Sequence, residues 1–423
     1  MGADKSMNEL KTPTAVRLVA LVLLAVLALP FSQAHAQATN LFRRGVAIHD
    51  AMNWATMDKA KKTYVYPPFS DAKHPLTADE LAEIRNDGFD FVRLTVDPGP
   101  FLAFQGAQLD GTYDILRQRV AMIRASDLAV IVDFHPVVQD QDYGPKALVA
   151  GSDTPLFNAY CAMLARTATV LAGFHSGHVA LELMNEPVIG GAPAADAQWQ
   201  TMEEKAYHAA RGAAKDLRLV LQGDLAGDYD GLLALDPSPF VADQHTVFTF
   251  HFYLPYFFTN QSAIQNPYHR VAADVPYPAL SRPADASINA LQTRMKGWNE
   301  TDDQKKADLQ SATSQLAQYR KSAFDRSTIR GYFDQVAAWA RTHKIPTNRI
   351  LLGEFGVVRK YGQYDGARDS DRVRWLQDVR EEAEQHGFSW SIWAYRGYGG
   401  MAIVDTDDTT KINPPTLKAL GLR

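Results

Sequence analysis

Two glutamates close runs that otherwise hold only apolar or small residues and Asn. Glu186 ends Leu183-Met184-Asn185-Glu186-Pro187, and Glu354 sits in Leu352-Gly353-Glu354-Phe355-Gly356. Taking a carboxylate out of water is costly unless a partner or a task compensates. Two such groups converging at one place make a paired acid and nucleophile. Cleavage of a glycosidic bond needs that pair: one carboxyl protonates the leaving oxygen, and the other meets an oxocarbenium-like carbon.

Other residue types at run ends fit the same chemistry. Arg93, in Phe91-Val92-Arg93-Leu94, is a cation able to keep a neighbouring carboxylate ionised. His135 ends Val132-Asp133-Phe134-His135. His251 and Tyr253, in Phe250-His251-Phe252-Tyr253, share one strand face by the period of two. Trp393, in Ser391-Ile392-Trp393-Ala394, offers a flat apolar surface suited to a sugar ring. Trp54 has two readings of equal weight, a sugar platform and a loop anchor. Asp133 and Asp224 read as hydrogen-bond acceptors of the strands. His175, His178, His208, His245 and His269 read as structural.

Positioning these residues requires a set of buried strands. Nearly continuous apolar runs fall at Arg44–His49, Phe89–Val96, Ala129–His135, Val179–Glu186, Leu217–Gly223, Thr246–Tyr253, Ile350–Gly356 and Phe388–Tyr395. Such runs are expected of parallel strands covered on both faces. Helical patterns lie between most of them, at Thr112–Ala125, Phe157–Ala172, Ala195–Lys215, Ser327–Thr342 and Ser370–His386. Another opens at Thr77 with Glu80 three residues on, a capping-box spacing. Eight strands alternating with helices predict an α/β fold of the (β/α)8 TIM-barrel type, with chemistry at the strand C-terminal ends. About a hundred residues separate strands six and seven, from Leu254 to Arg349. They read as an insertion on the barrel rim, with a polar, exposed helix near Asp302–Phe324. No Gly-x-Gly-x-x-Gly follows the first strand, so nothing favours a dinucleotide-binding fold.

These motifs resemble glycoside hydrolase family 5, a (β/α)8 clan that holds many cellulases and mannanases. The Asn-Glu-Pro of run four and the Gly-Glu-Phe-Gly of run seven carry the resemblance most specifically. It implies that Glu186 is the acid/base and Glu354 the nucleophile of a retaining hydrolase. It further implies that Asn185 bonds the sugar 2-hydroxyl and that Arg93 and Tyr253 orient Glu354. His135 and His251 would line the site, and Trp393 would lie under the sugar at the cleavage point. The chain departs from the pattern in its first strand, Gly45–Asp50, where His49 replaces the Asn-containing turn of many relatives. It departs again in the insertion that begins Leu254-Pro255-Tyr256. The departures bear on substrate rather than on chemistry. A secreted endo-β-1,4-glucanase is expected, with another β-glycan (mannan, β-1,3-glucan or a bacterial exopolysaccharide) as the alternative.

Composition narrows the partners. The chain has 423 residues, a net charge of −5 and 22% charged residues. Nothing in that balance suggests a nucleic-acid surface. No His-x-His or His-Glu-x-x-His suggests a metal hydrolase, and no Gly-x-Ser-x-Gly suggests a serine nucleophile. No metal or cofactor is expected. A glycan-binding barrel without catalysis is disfavoured by the presence of both glutamates. Lys5, Lys11 and Arg17 precede an apolar run, Leu18–Leu29, then Pro30 and Ala34-His35-Ala36. That three-part pattern predicts a signal peptide over 1–36, cleaved near Ala36. The expected product is a secreted or periplasmic catalytic domain over 37–423, monomeric and without a stable membrane anchor. Cys161, the single cysteine, lies in an apolar helical stretch and reads as a buried thiol.

Overall fold

In the computed structural model, residues 42–423 are described, apart from 71–74, 191–192, 264–266, 398–399 and 407–408. The segment read as a signal peptide lies outside the described residues. The eight barrel strands are β1 (Arg44–Met52), β2 (Phe91–Val96), β3 (Ala129–Phe134), β4 (Val179–Glu182), β5 (Arg218–Gln222), β6 (Thr246–His251), β7 (Ile350–Glu354) and β8 (Ser389–Ile392). Each pairs in parallel with its sequence neighbour, and β8 pairs with β1 to close the barrel. The predicted TIM barrel is therefore present, strand for strand.

Around it lie α1 (Ala78–Asn86), α2 (Gly106–Ala125), α3 (Pro155–Ala172), α4 (Pro193–Ala213), α5 (Tyr229–Ala234), α6 (Ala284–Met295), α7 (Asp302–Lys321), α8 (Arg326–Thr342) and α9 (Asp369–Gln385). The capping box at the start of α1 forms as its spacing predicts, with Thr77 and Glu80 exchanging bonds. The outer strand faces and the helices share one large apolar core, while Phe91, Ala129, Ile131, Ala180, Val220, Val247 and Leu351 fill part of the barrel's interior. Cys161 is buried on α3, as expected. No described helix is long and apolar enough to cross a membrane.

The long β6–β7 connection holds α6 and α7. The helix α7 is less exposed than its polar sequence suggests. Asp308, Ala312, Leu316 and Tyr319 form a buried stripe along it. Arg270 pairs with Asp308 at 2.6 Å, and the Tyr319 hydroxyl donates to the Pro276 carbonyl at 2.6 Å.

Several strands stop sooner than their apolar runs. The run of β4 continues to Glu186, but the strand ends at Glu182. Glu186 has φ +47°, in the left-handed region, which no strand residue adopts. Likewise His135, Tyr253 and Trp393 lie just past β3, β6 and β8. These residues still leave the barrel at its C-terminal mouth.

Candidate active site

Side-chain alternation builds the site. Phe91, Ile131, Ala180 and Val220 face the barrel interior as one apolar layer. Two residues further along the same strands come Arg93, Asp133, Glu182 and Gln222, all buried. By the period of two, an apolar floor is succeeded by a polar layer directly beneath the mouth.

Arg93 is the hub of that layer. It is fully buried and donates through Nε and Nη2 to both oxygens of Glu182, each at 2.8 Å. Nη1 donates to Glu354 Oε1 at 2.6 Å, and Nη2 also reaches Asn185 Oδ1 at 2.7 Å and Asp133 Oδ2 at 3.0 Å. Burial opposes the charge of Arg93, but Asp133, Glu182 and Glu354 outweigh it and hold the guanidinium protonated. One cation cannot compensate three buried carboxylates equally. Burial lifts Asp133 to about 7 against the pull of Arg93, with Glu186 adding to the rise, and raises Glu182 for the same first cause.

Glu354, at the end of β7, has both oxygens engaged. Oε1 meets Arg93, and the Tyr253 hydroxyl donates to Oε2 at 2.8 Å. Gly353 makes room for this: a Cβ there would sit 2.5 Å from Thr249 Oγ1 and 3.0 Å from His251 Nε2. His251 turns its other nitrogen toward both glutamates, with Nδ1 2.8 Å from Glu186 Oε1 and 3.6 Å from Glu354 Oε2. Burial pushes His251 down to about 4, so the ring is neutral at ordinary pH.

Glu186 opens into the mouth, with its side chain 35% exposed. Its carboxyl is nonetheless ringed by protein, and burial raises it to about 7. Arg93 opposes that rise, while Asp228 and Glu182 add to it.

The bonds around His135 fix its tautomer. Asn185 accepts from Arg93 through Oδ1, so its Nδ2 faces His135 Nε2, at 3.3 Å. His135 Nδ1–H is then the donor to Asp133 Oδ2 at 3.0 Å. The ring of Trp393 runs parallel to His135, with centroids 5.4 Å apart, and is only 6% exposed. Little of the ring therefore faces the mouth. Trp54 donates to His49 Nε2 at 2.8 Å, and His49 Nδ1 then donates to Thr95 Oγ1 at 2.9 Å. The structure thus brings together Arg93, His135, Asn185, Glu186, His251, Tyr253, Glu354 and Trp393. The sequence reading missed Glu182 and Gln222. The signal for Glu182 was a lone charge inside an apolar run.

The sequence decides the family. Residues 49–399 match the profile of Cellulase (glycosyl hydrolase family 5). The chain belongs to glycosyl hydrolase family 5. Solved structures with the same fold include a family 5 xyloglucanase from Paenibacillus pabuli, at 14% identity, 90% coverage of this chain, 98% of the other and a TM-score of 0.64. Another is Thermotoga maritima Cel5A with mannotriose, at 17% identity, 90% and 98% coverage and a TM-score of 0.62. A third is the cellulose synthase subunit Z of Clostridioides difficile, at 19% identity, 90% and 99% coverage and a TM-score of 0.58. No curated protein sequence matches significantly.

In this family 5 chain, Glu186, His251 and Glu354 bring potential metal-ligand atoms within 4.8 Å of one another. Glu354 already accepts from Arg93 and Tyr253, so a cation there would face a fixed guanidinium. The arrangement suits proton transfer better than metal ligation. Rim cavities of about 650 Å³, beside Arg294 and Arg368, and 660 Å³, beside Tyr361 and Val404, are not lined by either glutamate. Convergent charge, rather than cavity volume, marks the candidate site.

Proposed function

We propose that this family 5 protein is a retaining endo-β-1,4-glucanase, with Glu354 as nucleophile and Glu186 as acid/base. The observation that carries the reading is the approach of the two carboxyl groups. One oxygen of each lies within 4.8 Å of the other's and of His251. Retaining glycosidases hold their carboxyls about 5–5.5 Å apart, and inverting ones about 6.5–9.5 Å, to admit a water.

The electrostatics support the division of roles. Glu354 has both oxygens held, by Arg93 and by Tyr253, which fixes how a nucleophile would face the sugar. Glu186 is raised to about 7, which favours the protonated form an acid needs. Glu354 attacks the anomeric carbon while Glu186 gives its proton to the leaving oxygen, and the glycosidic bond breaks. His251 Nδ1 lies against Glu186 Oε1, which leaves Oε2 as the oxygen to face the leaving group. Glu186 then takes a proton from water, whose oxygen displaces Glu354 and releases the sugar with its anomeric configuration retained. Asn185, held between Arg93 and His135, presents its amide to the sugar 2-hydroxyl, and Trp393 borders that sugar.

The protein would act outside the cytoplasm as a monomer, after removal of residues 1–36. The fold neighbours are named for xyloglucan, mannotriose and cellulose synthesis, so the test must span glycans. Purified protein would be assayed on carboxymethyl cellulose, xyloglucan, mannan, xylan and β-1,3-glucan, with the first product's anomer read by NMR. Activity on mannan alone would replace the substrate assignment, and an inverted first product would remove the mechanism.

A further inference from the structure

Resting on the acid/base reading of Glu186, we propose that Gln222 is a positioning residue that aims the Glu186 carboxyl through the Glu186 main chain. Glu186 holds φ +47°, a conformation that L residues keep only where the surroundings enforce it. The enforcing contact is visible. The Glu186 amide donates to Gln222 Oε1 at 2.5 Å. Gln222 is 1% exposed, so it does not meet a ligand in the mouth itself.

Gln222 is in turn fixed from behind. Trp199 Nε1 donates to its main-chain carbonyl at 2.7 Å, and its main-chain N–H donates to Glu203 Oε1 at 3.0 Å. Trp199 and Glu203 lie four residues apart on α4 and so share one face. On its other side the Gln222 amide abuts Gly227, where a Cβ would sit 2.2 Å from Nε2 and where φ is +67°. The Gly227 carbonyl accepts from the His251 amide at 2.8 Å. His251 Nδ1 returns to the Glu186 carboxyl at 2.8 Å. Gln222 thus holds the Glu186 main chain by a hydrogen bond and packs, through Gly227, behind the His251 that meets the Glu186 carboxyl. Shortening or removing the Gln222 acceptor frees the backbone that sets where the acid points.

The test uses two substrates that differ only in their need for an acid: phenyl β-cellobioside, whose leaving group needs a proton, and dinitrophenyl β-cellobioside, whose leaving group does not. The corresponding aryl glycosides would be used if another sugar proves to be the substrate. Gln222→Met removes the amide, and Gln222→Asn keeps one that is too short to reach. Both variants should lose about a hundredfold in kcat/KM on the phenyl substrate and less than about threefold on the dinitrophenyl one, the cost of misplacing a proton donor by about 1 Å. A merely structural role lowers both alike, and thermal midpoints measured alongside report that effect. Glu186→Ala is the control. If it shows the leaving-group dependence while both Gln222 variants do not, the role of Gln222 is overturned. If Glu186→Ala shows none, the acid/base reading itself fails.

Discussion

His251 Nδ1 lies 2.8 Å from Oε1 of Glu186 and 3.6 Å from Oε2 of Glu354. A charged imidazole there would attract both carboxylates and hold Glu186 ionised. Burial instead keeps the ring neutral, with its transition near pH 4, and Arg93 reinforces that shift against the pull of Glu354. His251 thus sits between the two carboxyls without lending a charge. Its Nε2 has no hydrogen-bond partner among the described residues and packs by Gly353. Glu186 and Asp133 are then the groups of the site brought near 7, and of the two Glu186 is the one that opens into the mouth.

Glu186 is raised to about 7, chiefly by burial. In the proposed role of acid it works only when protonated. The value of kcat/KM on unactivated glycans should therefore hold steady below about pH 7 and fall about tenfold per pH unit above it. A pH–rate profile from about pH 5 to about pH 9 reads this directly. In Glu186→Gln the limb should disappear from whatever activity remains. A limb that survives in that variant belongs to another group.

Arg93 is fully buried and ties Asp133, Glu182, Asn185 and Glu354 together. Arg93→Lys supplies a point charge with three donors in place of a planar fork and cannot reach all four. Breaking a buried ion cluster from one side leaves uncompensated carboxylates, and the expected loss of stability is about 3–5 kcal/mol. Turnover should fall at least about a hundredfold, because Glu354 loses its orientation. Denaturant unfolding and kcat together check this. A variant as stable as the parent would show that water, rather than Arg93, compensates the cluster.

The sequence and structure agree most closely where residue type sufficed. Buried parallel strands read as apolar runs, and a carboxylate at the end of one stands out against that background. All eight strands and the two glutamates were legible for this reason. Where each run ceases to be a strand was not, because Leu183, Met184 and Asn185 look like strand residues while Glu186 turns left-handed. Glu182 was hidden by the same logic: a charge inside a strand is visible, but its partner Arg93 stands 89 residues away. Gln222 gave no signal, since a polar residue ending a strand is ordinary. Its role depends on Gly227 and Glu186, which only the closed barrel brings to it.

Glu203 offers a stability test separate from turnover. It is 1% exposed, and burial raises it to about 8, with the Gln222 amide opposing and Glu182 reinforcing. Its folded pKa lies above the ordinary carboxylate value, so between the two the folded protein keeps a proton that the unfolded chain has lost. That contribution is complete at acidic pH and is lost as pH rises towards about 8. Glu203→Gln keeps an acceptor for the Gln222 amide and cannot ionise. It should match the parent near pH 4 and exceed it above about pH 8, by on the order of 5 kcal/mol. Unfolding midpoints across that range decide it. A constant offset between the two proteins would mean that Glu203 does not titrate in the native state.

The Tyr253 hydroxyl, 2.8 Å from Glu354 Oε2, separates the two halves of the proposed reaction. When Glu354 attacks the sugar, its negative charge is spent and the bond from Tyr253 weakens. When water releases the sugar, that charge returns and the bond strengthens. Tyr253→Phe should therefore spare the first step and slow the second. A hydrogen bond to a charged group contributes about 1.5–3 kcal/mol, only part of it expressed in the transition state, so a loss of roughly tenfold is expected. On a dinitrophenyl glycoside, where release limits turnover, kcat should fall roughly tenfold while kcat/KM changes little. The glycosyl-enzyme should accumulate and be visible by mass spectrometry on the peptide bearing Glu354. An equal fall in both constants, with no trapped ester, would assign Tyr253 to placing Glu354 for attack instead.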